Sequence, residues 1–240
     1  MIKAVFFDAA GTLIDAREPV AQTYARIARI FGVDAPKEAV AAGLRRAFSS
    51  APPLAFGRGR SPDELRRLER EWWRELVARS FERIGEFRNF DGFFERLFAY
   101  FADPASWVAD PEAAPTLRRL KECGVQVGVI SNFDFRLYRI LQALRLSPHL
   151  DSITISSEAG YAKPDAQAFQ AALAKHSLEA REAMHVGDSE EMDLRAAVRA
   201  GLAAAVIDRG AGAAAEINGR TARIRSLASV IELRQGLRFA

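Results

Sequence analysis

Short apolar runs alternating with helical segments constrain this chain more than any other feature. Beyond about Asp110, Val125 to Ile130, Ser152 to Ile155, Ala183 to Val186 and Ala203 to Ile207 have strand length, and helical segments separate them. Continuous apolar strands of this kind are buried on both faces, and helical crossovers between them make the sheet parallel. The expectation is an α/β protein with a doubly wound, Rossmann-like parallel sheet. A further run, Ala4-Val5-Phe6-Phe7, ends in Asp8 and a tight loop, Ala9-Ala10-Gly11-Thr12-Leu13. Strand C-termini in such a sheet share one edge, where ligands bind, and Asp8, Ser131 and Asp188 all fall there.

Strand signals vanish between about Glu18 and Asp103. Val20, Tyr24, Ile27 and Phe31 recur at helical spacing between Pro19 and Gly32, and Ser61 with Glu64 has the spacing of a capping box. Trp72 and Trp73 on that second helix read as packing residues. The expected organisation is therefore an α/β core of residues 1–15 and 106–240, with a helical insert at 16–105 placed to cover the ligand-binding edge as a lid. With 240 residues, 49% of them hydrophobic, the chain has the material for both.

The charge pattern narrows the partners. Lys and Arg total 34 and are interleaved with 31 acidic residues, for a net charge of +3, which is weak evidence for nucleic acid, and no such partner is expected. A mildly basic surface would help gather a small phosphorylated or otherwise anionic substrate, and a solvated helix face accounts for the arginines equally well. No apolar stretch reaches the roughly 18 residues of a membrane span, and a cytoplasmic protein, monomer or homodimer, is expected. The single cysteine, Cys123, cannot form an internal disulfide and is expected to be a buried packing thiol.

Four short motifs follow one another in order, each at or just after a strand end. Asp8 is placed to act as a nucleophile, although a strand-end aspartate also serves as a helix cap. Ser131-Asn132 offers a hydroxyl and amides to an oxyanion, or an ordinary cap to the helix near Asp134. Lys163 precedes Pro164, which suits the first turn of the next helix and leaves the ammonium free to reach toward Asp8. Asp188 and Asp193 set two carboxylates across a strand-to-helix turn, a hard donor set that suits Mg²⁺ and equally a cluster favoured by a helix dipole.

Taken together, Asp8 to Thr12, Ser131, Lys163 and Asp188 to Asp193 resemble the ordered motifs of the haloacid dehalogenase superfamily across nearly the whole chain. The resemblance implies a hydrolase in which Asp8 attacks the substrate, Thr12, Ser131 and Asn132 hold the transferring group, and Lys163 neutralises charge. It also implies Mg²⁺ held by Asp8, the main-chain carbonyl of Ala10 and Asp188, with Asp193 acting directly or through water. The insert resembles that family's helical cap, and Trp72-Trp73 with the later Phe-rich helix is similar to the branch of the rhythmically expressed gene products.

One residue departs from the pattern. Phosphatases of the superfamily carry a second aspartate two residues after the nucleophile, as general acid and base, and here that residue is Ala10. Three readings follow: a phosphohydrolase restricted to good leaving groups, a hydrolase of carbon–phosphorus or carbon–halogen bonds, or a catalytically weak phosphate- and metal-binding protein. Lys37 is the one insert lysine available for the Schiff base of the family's phosphonate hydrolases, and it falls at the start of an Ala-rich helix. The loop Ser49 to Arg60 is irregular, and Arg58 and Arg60 in it could meet an anionic substrate or belong to a solvated connector. His149, His176 and His185 have no metal-site spacing, and His185 is expected to pack within a strand beside the site.

Overall fold

The computed structural model describes residues 2–210 and 216–236. The chain first forms β1 (Ala4–Phe7) and β2 (Ile14–Ala16), then the helices α1 (Val20–Ile30), α2 (Lys37–Ser50), α3 (Pro62–Phe81) and α4 (Phe90–Ala102). It continues through β3 (Trp107–Ala109), α5 (Ala113–Glu122), β4 (Gln126–Ser131), α6 (Arg136–Ala143), β5 (Ser152–Ile155), α7 (Ser156–Ala159) and α8 (Ala166–His176). Last come β6 (Ala183–Gly187), a π-helical turn at Glu190–Arg195, α9 (Ala196–Arg199), β7 (Ala203–Ile207), β8 (Glu216–Asn218), β9 (Thr221–Ile224) and α10 (Val230–Gly236).

Two compact units result, one of residues 1–15, 55–59 and 109–240, the other of 16–54 and 60–108. In the first, the described strands form one sheet in the order β5-β4-β1-β6-β7-β9-β8. All neighbours are parallel except β8 against β9. The four strand runs read from the sequence are present, and the fold is the expected doubly wound α/β class. β1 lies between β4 and β6, so the direction of winding reverses on either side of it and Asp8 emerges at the switch point. β1 and β7 are buried at every residue because helices cover both faces.

The helical unit is built as its periodicity dictates. Tyr24, Ile27, Val40, Leu44, Val77, Phe81, Phe93 and Leu97 form its core, with Trp73 packed against it. Ser61 accepts a hydrogen bond from the Glu64 amide at 3.3 Å, so one arm of the predicted capping box exists, while the Glu64 carboxylate turns to Arg60 instead. Trp72, Trp73 and Phe48 form an aromatic cluster, and the Trp72 indole N–H donates to Pro52 O at 2.8 Å.

Three expectations change. β2 and β3, too short to give an alternation, form a two-stranded ribbon, and the unit boundaries fall within it. Residues 55–59 pack with the α/β unit: a Cβ on Gly160 would lie 2.8 Å from Gly57 C, so two glycines are what allow this approach. Cys123 is exposed rather than buried, because it caps α5 at the surface, where its amide bonds Arg119 O and Leu120 O.

Candidate active site

The site begins with how β1 ends. The Asp8 amide bonds Val186 O on β6 at 2.8 Å, so the sheet's own ladder fixes the residue that carries the carboxylate. The chain then coils around Ala9, whose carbonyl accepts from Thr12, Leu13 and Ile14 at 3.3, 2.8 and 3.0 Å. Gly11 has φ +82°, and a Cβ there would lie 2.4 Å from an Asp188 carboxylate oxygen, so glycine is required for both its conformation and its closeness. The turn buries the Thr12 hydroxyl completely and leaves it without a hydrogen-bond partner among the described residues. Buried polar groups are ordinarily paired, so such a hydroxyl on the nucleophile loop marks a place where a polar ligand belongs.

Lys163 arrives from the far side. Asn132, at the end of β4, donates to Lys163 O and accepts from Lys163 N, both at 2.8 Å, which staples the lysine's backbone beside β4. The Asn132 amide is thereby engaged with the chain itself, while the neighbouring Ser131 is buried at the same strand end. Pro164 lies outside the following helix: Asp165 is the N-cap of α8, its carboxylate accepting from the Gln167 amide at 2.9 Å. The Lys163 ammonium, buried, sits 3.0 Å from Asp8 Oδ1 and 2.5 Å from Asp193 Oδ1. Burial alone would pull this ammonium down, but the charges of Asp8 and Asp193 outweigh it and hold it above its ordinary value.

Asp193 is the hub of the cluster. Its Oδ1 also accepts from His185 Nε2 at 2.8 Å, and its Oδ2 accepts from the Ser189 amide at 3.0 Å. Gly187 makes room, since a Cβ there would stand 2.1 Å from the Asp193 carboxyl carbon. Burial would raise the Asp193 carboxyl, yet the Lys163 ammonium and the His185 hydrogen bond hold it well below the usual carboxylate range. Both of its oxygens are engaged, Oδ1 by Lys163 and His185 and Oδ2 by the Ser189 amide. Asp188 behaves differently: it is exposed, and its carboxyl is pushed up to about 6 by partial desolvation and by the charges of Asp8 and Asp193. Ligand atoms of Asp8, Asp188 and Asp193 lie within 4.8 Å of one another.

The expected residues Asp8, Lys163, Asp188 and Asp193 thus converge, with Thr12 and Ala10 on the same loop and Ser131 and Asn132 at the end of the adjacent strand. His185 does more than pack beside them. It is fully buried in β6, and burial holds its ring below the ordinary histidine value and hence neutral, so that Nε2–H donates to Asp193. Removing this donor in His185→Leu should cost about 1.5–3 kcal/mol in urea unfolding at pH 7, because a buried carboxylate loses a hydrogen bond. His185→Gln should recover part of that, and an unchanged midpoint for His185→Leu would show that the bond contributes nothing. Arg58 lines a surface cavity of about 450 Å³ with Thr154, Glu158 and Lys175, and Arg60 pairs with Glu64.

A family model for haloacid dehalogenase-like hydrolases matches residues 2–201. The human "Haloacid dehalogenase-like hydrolase domain-containing protein 3" is 33% identical over 194 residues, which is 78% of this chain and 74% of that protein. The "Rhythmically expressed gene 2 protein" of Drosophila melanogaster is 29% identical over 218 residues, 85% of this chain and 82% of that one. Among solved structures, a HAD phosphatase from Thermococcus onnurineus superposes with a TM-score of 0.65 at 23% identity, covering 99% of this chain and 100% of the other. That last likeness concerns the fold.

Proposed function

This chain belongs to the haloacid dehalogenase-like hydrolase family, and on that premise we propose that it is a Mg²⁺-dependent phosphohydrolase that works through an aspartyl-phosphate on Asp8 and favours good leaving groups. The observation that carries the proposal is the Asp8–Lys163–Asp193 constellation beside a buried, partnerless Thr12 hydroxyl, an arrangement made for an anion next to a nucleophile. An Asp8 oxygen attacks phosphorus, the bond to the leaving oxygen breaks, and water then cleaves the acyl phosphate. Throughout, Lys163 stays protonated, offsets the charge of Asp8 and the phosphoryl oxygens, and is itself held in place by Asp193. Thr12 and Ser131 donate to the transferring group, with main-chain amides near Asn132 beside them.

The donor set fits Mg²⁺: Asp8 and Asp188 with the Ala10 carbonyl as direct ligands, and Asp193 acting through water or through Lys163. When bound, the ion supplies Lewis-acid stabilisation of phosphoryl charge. Asp188 gives a pH test of this assignment. A carboxyl raised from 3.8 to about 6 disfavours the folded state as it ionises, so metal-free protein should lose stability as pH rises through that interval. Mg²⁺ relieves that repulsion, and its thermal stabilisation should therefore grow between pH 5 and about 7 and vanish in Asp188→Asn. A Mg²⁺ effect that is equal at both pH values, or survives the substitution, contradicts the assignment.

Ala10 sets the substrate range. With no carboxylate at this position to protonate a departing alkoxide, acyl or aryl phosphates should react and alkyl phosphates should not. Single-turnover rates on substituted aryl phosphates should fall steeply as the leaving group becomes more basic. A flat dependence sinks the reading, and phosphate binding without any turnover makes the protein a weakly catalytic binder. We assign the helical unit the role of cap, supported by its insertion a few residues after Asp8, and place the protein in the cytoplasm acting on a small anion. Among the described residues no helix is long and apolar enough to cross a membrane.

A further inference from the structure

Arg209 follows β7, 198 residues from Gly11 in sequence, yet its guanidinium closes on the nucleophile loop. Nη1 donates to Gly11 O at 3.0 Å, and Nη2 donates to Thr12 O at 3.0 Å and to Asp110 Oδ2 at 2.6 Å. Asp110 is fixed in turn, its amide donating to Leu13 O at 2.9 Å and its Oδ1 accepting from Glu112 N at 2.8 Å. One cation therefore binds two consecutive carbonyls of the loop and the carboxylate of Asp110, whose own amide bonds the carbonyl of the third residue, Leu13.

Peptide planarity gives this clamp its consequence. In a trans peptide the N–H points opposite to the C=O, so fixing the carbonyls of Gly11 and Thr12 also fixes the amides of Thr12 and Leu13. Those amides both donate to Ala9 O on the other side of the loop. Each of the two peptide planes is thus held from both sides, by Ala9 within and Arg209 without. The planes carry the Thr12 side chain and adjoin the Ala10 carbonyl, so the rotation of both groups depends on the clamp.

We propose that Arg209 is a positioning residue that locks the nucleophile loop in its working conformation. Its role in turnover rests on the hydrolase reading, whereas its role in loop order does not, and the test separates the two. Amide hydrogen exchange of the full chain is followed in wild type, Arg209→Met and Arg209→Lys, alongside single-turnover reaction with an aryl phosphate. Arg209→Met should exchange at least about 10-fold faster at Thr12, Leu13 and Ile14, the loss expected when hydrogen bonds to a charged group are removed. Amides of β4 and β5 should be unchanged. Arg209→Lys should recover part of the protection, since an ammonium reaches carbonyls without the fork geometry. Phosphoryl transfer should fall about 10-fold or more in the same order as the lost protection. Unchanged exchange at residues 12–14, or acceleration equal across the whole sheet, overturns the proposal. Faster loop exchange with no phosphoryl transfer even in wild type upholds the clamp and defeats the hydrolase reading instead.

Discussion

Replacing Lys163 with methionine should abolish phosphoryl transfer and lower stability by about 3–5 kcal/mol, the cost of leaving a buried charge without its partner. The ammonium lies between Asp8 and Asp193, and Asp193 is as deeply buried as the lysine. Methionine fills much of the volume but leaves the Asp193 carboxylate with only the His185 and Ser189 donors. The pH dependence has a definite sign. Lys163 lies above its ordinary 10.5, so its contribution is intact below that value and is lost as alkali titrates the folded protein. Asp193 lies below its ordinary 3.8, so its share is present above that value and fades in acid. The gap between wild type and variant in urea unfolding should therefore be full at neutral pH and close at both extremes. A variant as stable as wild type at pH 7 would show that the pair does not stabilise the fold.

The second large effect is a gain. Ala10→Asp should raise turnover of an alkyl phosphate by about 10²–10⁴, the usual contribution of a positioned general acid or base. Both halves of the reaction are involved. Without an acid at position 10 the first step depends on the leaving group, and without a base the acyl phosphate waits for unassisted water. Wild type should accordingly release aryl alcohol in a burst followed by slow turnover, and Ala10→Asp should remove the burst by speeding the second step. If Ala10→Asp leaves both phases unchanged, the missing carboxylate is not what limits the chain.

How far this was legible in the sequence follows from the range of each signal. Asp8, Ser131 and Asp188 sit at strand ends, where a run of apolar residues stops and a loop begins, and such positions can be found from periodicity, whereas Lys163 lies in the loop between α7 and α8. The parallel sheet with its helical crossovers is legible in the same alternation, while the order of its strands is set by the fold. His185 gives no such signal. It interrupts an apolar strand, and only the fold shows that Asp193, eight residues on, returns to accept a hydrogen bond from its Nε2–H. Arg209 is less visible still, because its partners lie at residues 11, 12 and 110 and one arginine among many carries no pattern. Asp134 and Arg136 form a buried, forked ion pair at the start of α6, which two polar residues two apart do not announce in the sequence. Cys123 is exposed although thiols are buried on average, because a helix C-terminus at the surface overrides that average.

The central claim is that Asp8 forms a covalent bond to phosphorus, and one measurement addresses it without reference to any natural substrate. Wild type and Asp8→Asn are mixed with a radiolabelled aryl phosphate and Mg²⁺, quenched in acid within the first turnover, and the label is located by peptide mapping. The account predicts label on Asp8 in wild type, labile to hydroxylamine as an acyl phosphate must be, and none in Asp8→Asn. Product released from wild type with no protein-bound label at any time, or label that persists in Asp8→Asn, would contradict it.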